Sequence, residues 1–351
     1  MRDEIEKIPR GFEIALFGTA MLWALASSAI ASRSAHGIVV RFKLDTIESL
    51  LSAVFLVFLV VVGFSLLDWI ATRGRSDADA LPLPRRAGWG MEWGVGAAVG
   101  WGLCLVAVLP VLLIGNLHGR LMLSGATLWS AALSALTLLA MTLAAELIAR
   151  GYGFQRLIVA VGPSWASVIT SFGFAAALVW GNPPRHLLVA LIDGTVFGLV
   201  LAVAYLRTHA LWVGWGIHFA YRVMMAVVVG LPIAGRNDFG SIMDTYTTGP
   251  GLLTGSGFGL DGALLTALVM AGGMVVVYRV TKEYAWKYTL PEIVAAGYEV
   301  TVAPPAAHTA MEKAAAPAPL VQILATTPQT RSVVSPVEPP RPEAEHDFRQ
   351  H

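Results

Sequence analysis

Charge is what this chain has least of. Asp, Glu, Lys and Arg make up 13% of its 351 residues, while 56% are hydrophobic. A soluble domain carries about 25% and 45–50% respectively. There is too little polar surface to face water all round, so the surplus apolar side chains face lipid and the chain is an integral membrane protein. Its 24 basic and 23 acidic residues cancel to a net charge of +1. No basic patch of the kind that neutralises a row of phosphates remains, which excludes a nucleic-acid partner. A single cysteine, Cys104, excludes an internal disulfide. An alternating strand pattern is also lacking, so a lipid-spanning β-barrel is excluded. The expected fold class is all-α, a polytopic membrane helix bundle, because lipid leaves no other way to pair the backbone.

Apolar runs are what the chain does have. Eight approach the roughly 20 residues needed to cross a bilayer, at 12–32, 47–68, 91–115, 126–149, 163–181, 186–206, 209–231 and 260–280, and the fourth could continue as helix past Arg150. The resulting organisation is an N-terminal segment 1–11, two helices and a loop over 12–90, a membrane core over 91–280 and a tail over 281–351. From about residue 303 the tail is rich in Ala and Pro without an apolar stripe, and disorder is expected there. The mixed-charge leader before the first run favours an uncleaved first helix over a signal peptide. Lys and Arg cluster on one side of the spans, at Arg2, Lys7, Arg10, Arg73, Arg75 and beyond, outnumbering Arg33, Arg41, Lys43, Arg120, Arg185 and Arg236 on the other. Both termini are therefore expected to be cytoplasmic, in a plasma or inner membrane.

Within the third span, Gly90 and Gly94, then Gly96 and Gly100, stand one helical turn apart and predict a close helix seam. Between the last two spans, "DFGSIMDTYTTGPGLLTGSGFGLDG" reads as a long loop on the non-cytoplasmic side. Ionisable residues inside spans are costly, so each is a candidate for function. They are Glu146 and Arg150 in the fourth span, Asp193 in the sixth, and His218 and Arg222 in the seventh. Glu146/Arg150 and His218/Arg222 are i,i+4 pairs, each on one helix face.

These residues sit in a recognisable order. "AELIARGY" over 145–152, "SFGFAAAL" over 171–178 and "FGLVLAVAYLRTHALWVGWGIHFAYR" over 197–222 follow one another. In this order they resemble the CPBP intramembrane proteases, the family of CAAX prenyl endopeptidases and bacteriocin-processing proteins. The loop before the last span is similar to one in many bacterial members. The resemblance covers about residues 90–280 and implies an eight-helix core with three motifs: EExxxR, FxxxH and HxxxN or HxxxD. It implies that the first glutamate activates water, the second motif's histidine positions that water or a divalent metal, and the last histidine and Asn stabilise an oxyanion.

The departures from that pattern carry the functional expectation. Ala145 stands at the general base, Leu178 at the first histidine and Arg222 at the Asn, leaving His218 alone of the four. One position along a helix turns a side chain by about 100°, so Glu146 is expected to face away from the site, occupied by Arg150. One histidine is too few for zinc, which takes at least three protein ligands, and no cofactor is expected. His218 reads as a hydrogen-bonded core residue. Arg222 needs a carboxylate or a route to the interface; Glu146 is the first candidate partner and Asp193 the next, although Asp193, near the start of its span, fits the headgroup region. The leading reading is a pseudoprotease, a membrane scaffold or binder of a peptide or lipidated segment. An active endopeptidase with a rearranged site is the alternative. A small transporter is the third, weakened by charges too few and too paired for a relay and by the lack of an internal repeat.

Overall fold

Long apolar stretches with few charges satisfy their backbones internally, and the chain does so as helices along nearly its whole described length. The computed structural model describes residues 9–72, 81–84 and 86–282; the tail and the first eight residues lie outside them. In chain order the elements are α1 (Arg10–Phe42), α2 (Glu48–Ala71), α3 (Trp89–Leu113), β1 (Leu117–Leu121), α4 (Gly125–Arg150), α5 (Tyr152–Val161), α6 (Pro163–Trp180) and α7 (Leu187–Thr208). Then follow α8 (Trp212–Val223), β2 (Met243–Thr247), a single turn α9 (Gly251–Thr254) and α10 (Leu264–Val280). The protein is an all-α polytopic membrane bundle, and among the described residues seven helices are long and apolar enough to cross a bilayer. The eighth expected span, α10, has 17 residues and is about 25 Å long at 1.5 Å per residue. It sits at the lower limit for a span.

The fourth span does not run on as one helix. Gly151 leaves helical geometry at ψ −141°, and a Cβ there would fall 2.1 Å from the Leu147 carbonyl oxygen. The chain turns at this glycine, and α5 starts as a separate, amphipathic helix. At the other end of α4, Ser124 caps the helix by accepting the Thr127 N–H at 3.1 Å, as an N-cap serine does. Pro163 opens α6, where its missing N–H costs nothing.

The helices differ in what they face. Of the most apolar 18-residue window, 22% is buried by protein in the span through α2 but 72% in the span that begins with α8. Thus α2 lies against lipid and α8 is central. The centre is reached through the glycine seam of α3. Cβ atoms on Gly96 and Gly100 would each lie 2.2 Å from a carbonyl oxygen of α8, Val213 and Ile217 respectively. Gly216 reciprocates, since its Cβ would come 2.3 Å from the Trp93 carbonyl oxygen. Gly90 and Gly94 meet nothing, so the seam uses the second pair only. Trp89 packs at a tilt against Trp212, 4.6 Å between centroids, where the two helices begin.

After Val223 the helix widens into a π turn over Met224–Val229, which stops at Gly230 (φ 78°). The segment expected as plain loop contains β2, which pairs antiparallel with β1, Leu117 opposite Thr247 and Leu121 opposite Met243. These strands were not legible as alternation. Two 3₁₀ turns, Ser256–Phe258 and Leu260–Gly262, then lead into α10 and fold back over the ends of α7 and α8.

Candidate functional site

Between α4, α6, α8 and the turn after α8 lies a cavity of about 280 Å³. Its wall includes Ala145, Phe174, Leu178, His218 and Arg222, so five of the positions read from the motifs meet around one space. Leu138, Met141, Thr142, Ala177 and Ile233 add a mostly hydrocarbon lining, and Asn182, Arg236 and Phe239 stand among the remainder. Ala145 offers a methyl group and Leu178 an isobutyl group to this space. Among the described residues no aspartate or glutamate forms part of the wall.

Glu146 stands behind the wall and is enclosed completely. Its Oε1 accepts from Arg150 Nη1 at 3.1 Å and is 2.8 Å from His218 Nδ1. Sequence reasoning foresaw the first bond and missed the second. An i,i+4 pair is visible in a sequence, whereas the packing of α8 on α4 is not. Arg150 also donates through Nη2 to the Gly198 carbonyl oxygen at 2.9 Å and lies 5.2 Å from the Phe174 ring centroid. In this way one guanidinium ties α4 to α7 and α6. His218 is held edge-on by Phe174 and Phe197, at 5.6 and 5.4 Å between centroids. A carboxylate can only accept hydrogen bonds, so His218 donates to Glu146 through Nδ1.

Arg222 corrects an expectation. Its carboxylate is neither Glu146 nor Asp193 but Asp261, which receives a hydrogen bond from Arg222 Nη1. Asp261 comes from the 3₁₀ turn before α10, a segment read only as loop. The same Asp261 Oδ2 accepts the Ala234 N–H at 3.0 Å, at a residue whose φ is 48°. One carboxylate thus joins α8, the Ile233–Arg236 turn and the last loop. Nothing periodic in "GFGLDG" marks this aspartate. The one available signal was a charged residue in an otherwise apolar, glycine-rich stretch. Asp193 also departs from expectation, since it is buried by protein at 3% exposure rather than turned to a headgroup layer.

The burial leaves several polar atoms without hydrogen-bond partners among the described residues: Glu146 Oε2, Arg150 Nε, Asp193 Oδ1, Tyr221 Oη and Arg222 Nη2. Unmade bonds of this kind are costly and tend to mark functional regions. As to metal, no group of three His, Cys, Asp or Glu side chains that could hold an ion comes together among the described residues. The donors nearest the cavity are His218 and a glutamate already engaged by a guanidinium. That donor set does not fit a zinc-type centre.

The described residues form a membrane helix bundle with motif residues gathered around one cavity. Residues 127–224 match the family model described as Type II CAAX prenyl endopeptidase Rce1-like, a match that supports membership of the CPBP/CAAX protease family. The matched stretch runs from the start of α4 to just past Arg222, so it contains Ala145, Leu178, His218 and Arg222 but not Asp261. Neither a curated protein nor a solved structure matches the chain significantly.

Proposed function

We propose that this multi-pass membrane protein is a non-catalytic member of its family, which holds an apolar peptide or lipid-modified segment in the cavity without cutting it. The observation that carries the reading is the character of the cavity wall. At the two positions where the family pattern places a base and a histidine, Ala145 and Leu178 present only hydrocarbon. A general base must reach its water within about 2.6–3.2 Å, directly or through one further water. A methyl group cannot do this, and Glu146 lies behind the wall with Oε1 already shared by Arg150 and His218. We propose that no metal ion is held, because the donor set is too small. The lining suits an apolar occupant, and the surrounding bilayer can deliver one laterally. On the balance of Lys and Arg we place both termini on the cytoplasmic side.

The test is cleavage of a prenylated peptide by the purified chain, alongside a variant rebuilt to the family pattern. That variant carries Ala145→Glu, Leu178→His and Arg222→Asn, together with Asp261→Asn. The last change is required because removing Arg222 alone would strand the buried Asp261 carboxylate. The natural chain should give no product and the rebuilt chain should give some. Product from the natural chain, lost on replacing His218, would sink the proposal.

A further inference from the structure

The apolar cavity has a neighbour of opposite character. Beyond the π turn lies a second cavity of about 210 Å³, walled by Asn237, Ser241, Asp244 and Thr245 together with segment 230–232. Arg236 and Phe239 belong to the walls of both, so these two side chains divide a hydrocarbon space from a polar one. The divide is weakly held. Arg236 lies 5.2 Å over the Phe239 ring, and its ionic partner Asp238 is half exposed, which leaves such a pair worth little.

Charge decides what the polar side accepts. Both ions in its wall already have a counter-charge: Arg236 donates through Nε and Nη2 to Asp238, and Arg120 stands 3.0 Å from Asp244. An ionic ligand group would lose its hydration there without meeting an uncommitted opposite charge. Uncharged hydrogen-bonding groups fare better. Arg236 Nη1 lies outside the Asp238 contact, and the enclosed Thr245 Oγ1 has no partner among the described residues. Residues 243–245 of β2 border the same space. Among the described residues β2 pairs on one edge only, with β1, and an open strand edge is matched by the amides of an extended peptide.

Size limits the apolar side. At about 30 Å³ per water-sized group, a volume of 280 Å³ holds about nine carbons, enough for one short chain and not for two. Each cavity alone falls below the usual ligand range of about 300–1,000 Å³, and the two together fall within it.

We propose that the occupant is a short-chain acylated peptide, with one acyl chain of about eight to ten carbons in the apolar cavity and uncharged peptide groups in the polar one. The inference rests on the binding role proposed above and names the chemistry of the occupant. Arg236 and Phe239 flank the junction, where Arg236 Nη1 donates to the carbonyl that ends the chain. Thr245 and the open edge of β2 serve the amides that follow.

The experiment measures retention of radiolabelled N-decanoyl-Ser-Gly amide by the full chain in lipid nanodiscs, with empty discs as the blank. Binding should be at least about tenfold tighter than that of N-decanoyl-Asp-Asp amide, 1-decanoylglycerol or decane, the equivalent of one or two net hydrogen bonds. Arg236→Gln and Thr245→Val should each weaken the uncharged peptide and leave decane unchanged. Ala145→Phe, which occupies the apolar cavity, should remove both; should that variant not fold, the two polar-side variants still decide. Equal binding of the charged peptide would overturn the proposal, as would equal binding of 1-decanoylglycerol, which would assign the site to a neutral lipid. Retention of decane with no preference for the uncharged peptide defeats this inference alone. Retention of none of these ligands defeats the binding role with it.

Discussion

Arg150 and Arg222 are both enclosed by protein, at 0% and 2% exposure, yet their charges are balanced from different distances along the chain. Arg150 finds Glu146 one turn back on its own helix. Arg222 finds Asp261, 39 residues away, in a turn outside the matched family stretch. A pair on one helix is formed as soon as the helix is, and it survives rearrangement of the bundle. A pair between a helix and a distant loop exists only once the bundle has folded. The first therefore fastens a helix to its neighbours, and the second fastens the turn before α10 and the Ile233–Arg236 turn to α8.

Breaking the long-range pair is the largest expected effect. Asp261→Asn leaves a buried guanidinium without its counter-charge and frees the Ala234 N–H from a carboxylate. Removing one partner of a buried pair costs about 3–5 kcal/mol, read as a lower midpoint of thermal or denaturant unfolding in detergent. The double change Arg222→Met with Asp261→Leu should recover most of that loss, because apolar replacement of a whole buried pair is often neutral. A double variant as unstable as the single one would show that the pair is not what holds the loop.

A middle effect is expected at the local pair. Glu146→Gln removes the charge facing Arg150 but keeps an acceptor in place. Arg150 also retains the Gly198 carbonyl and the Phe174 ring. The expected loss is about 1–3 kcal/mol, the cost of leaving a buried group under-satisfied. A loss larger than that of Asp261→Asn would reverse the ranking of the two arginines.

The smallest effect belongs to the pair at the cavity mouth, Arg236 with Asp238, whose side chains are 38% and 51% exposed. Burial works against the Asp238 charge, but the hydrogen bonds and charge of Arg236 outweigh it and hold the carboxyl below its ordinary pKa. A depressed carboxylate contributes stability above its unfolded pKa and loses it as pH falls through the folded one. Exposure and salt screening keep the contribution small. Arg236→Gln should change stability by less than about 0.5 kcal/mol at neutral pH, with even less difference in acid.

The same contrast governs what could be read in advance. The Glu146–Arg150 bond followed from spacing, because helix periodicity carries side chains to predictable faces, whereas the meeting of Ala145, Leu178 and His218 around one space was implied only by the family resemblance. The break at Gly151, the use of Gly96 and Gly100 but not Gly90 and Gly94, and the β1–β2 pairing followed from neither. Each depends on what lies opposite, and nothing in a local window records that.

Composition determined that the chain lives in a membrane as a helix bundle, since lipid cannot hydrogen-bond an open backbone. Motif order pointed to the family, and the match over residues 127–224 supports it. Only the tertiary structure decided who pairs with whom: His218 with Glu146 across α4 and α8, and Arg222 with Asp261 across 39 residues. A buried charge takes whichever partner the packing brings within reach.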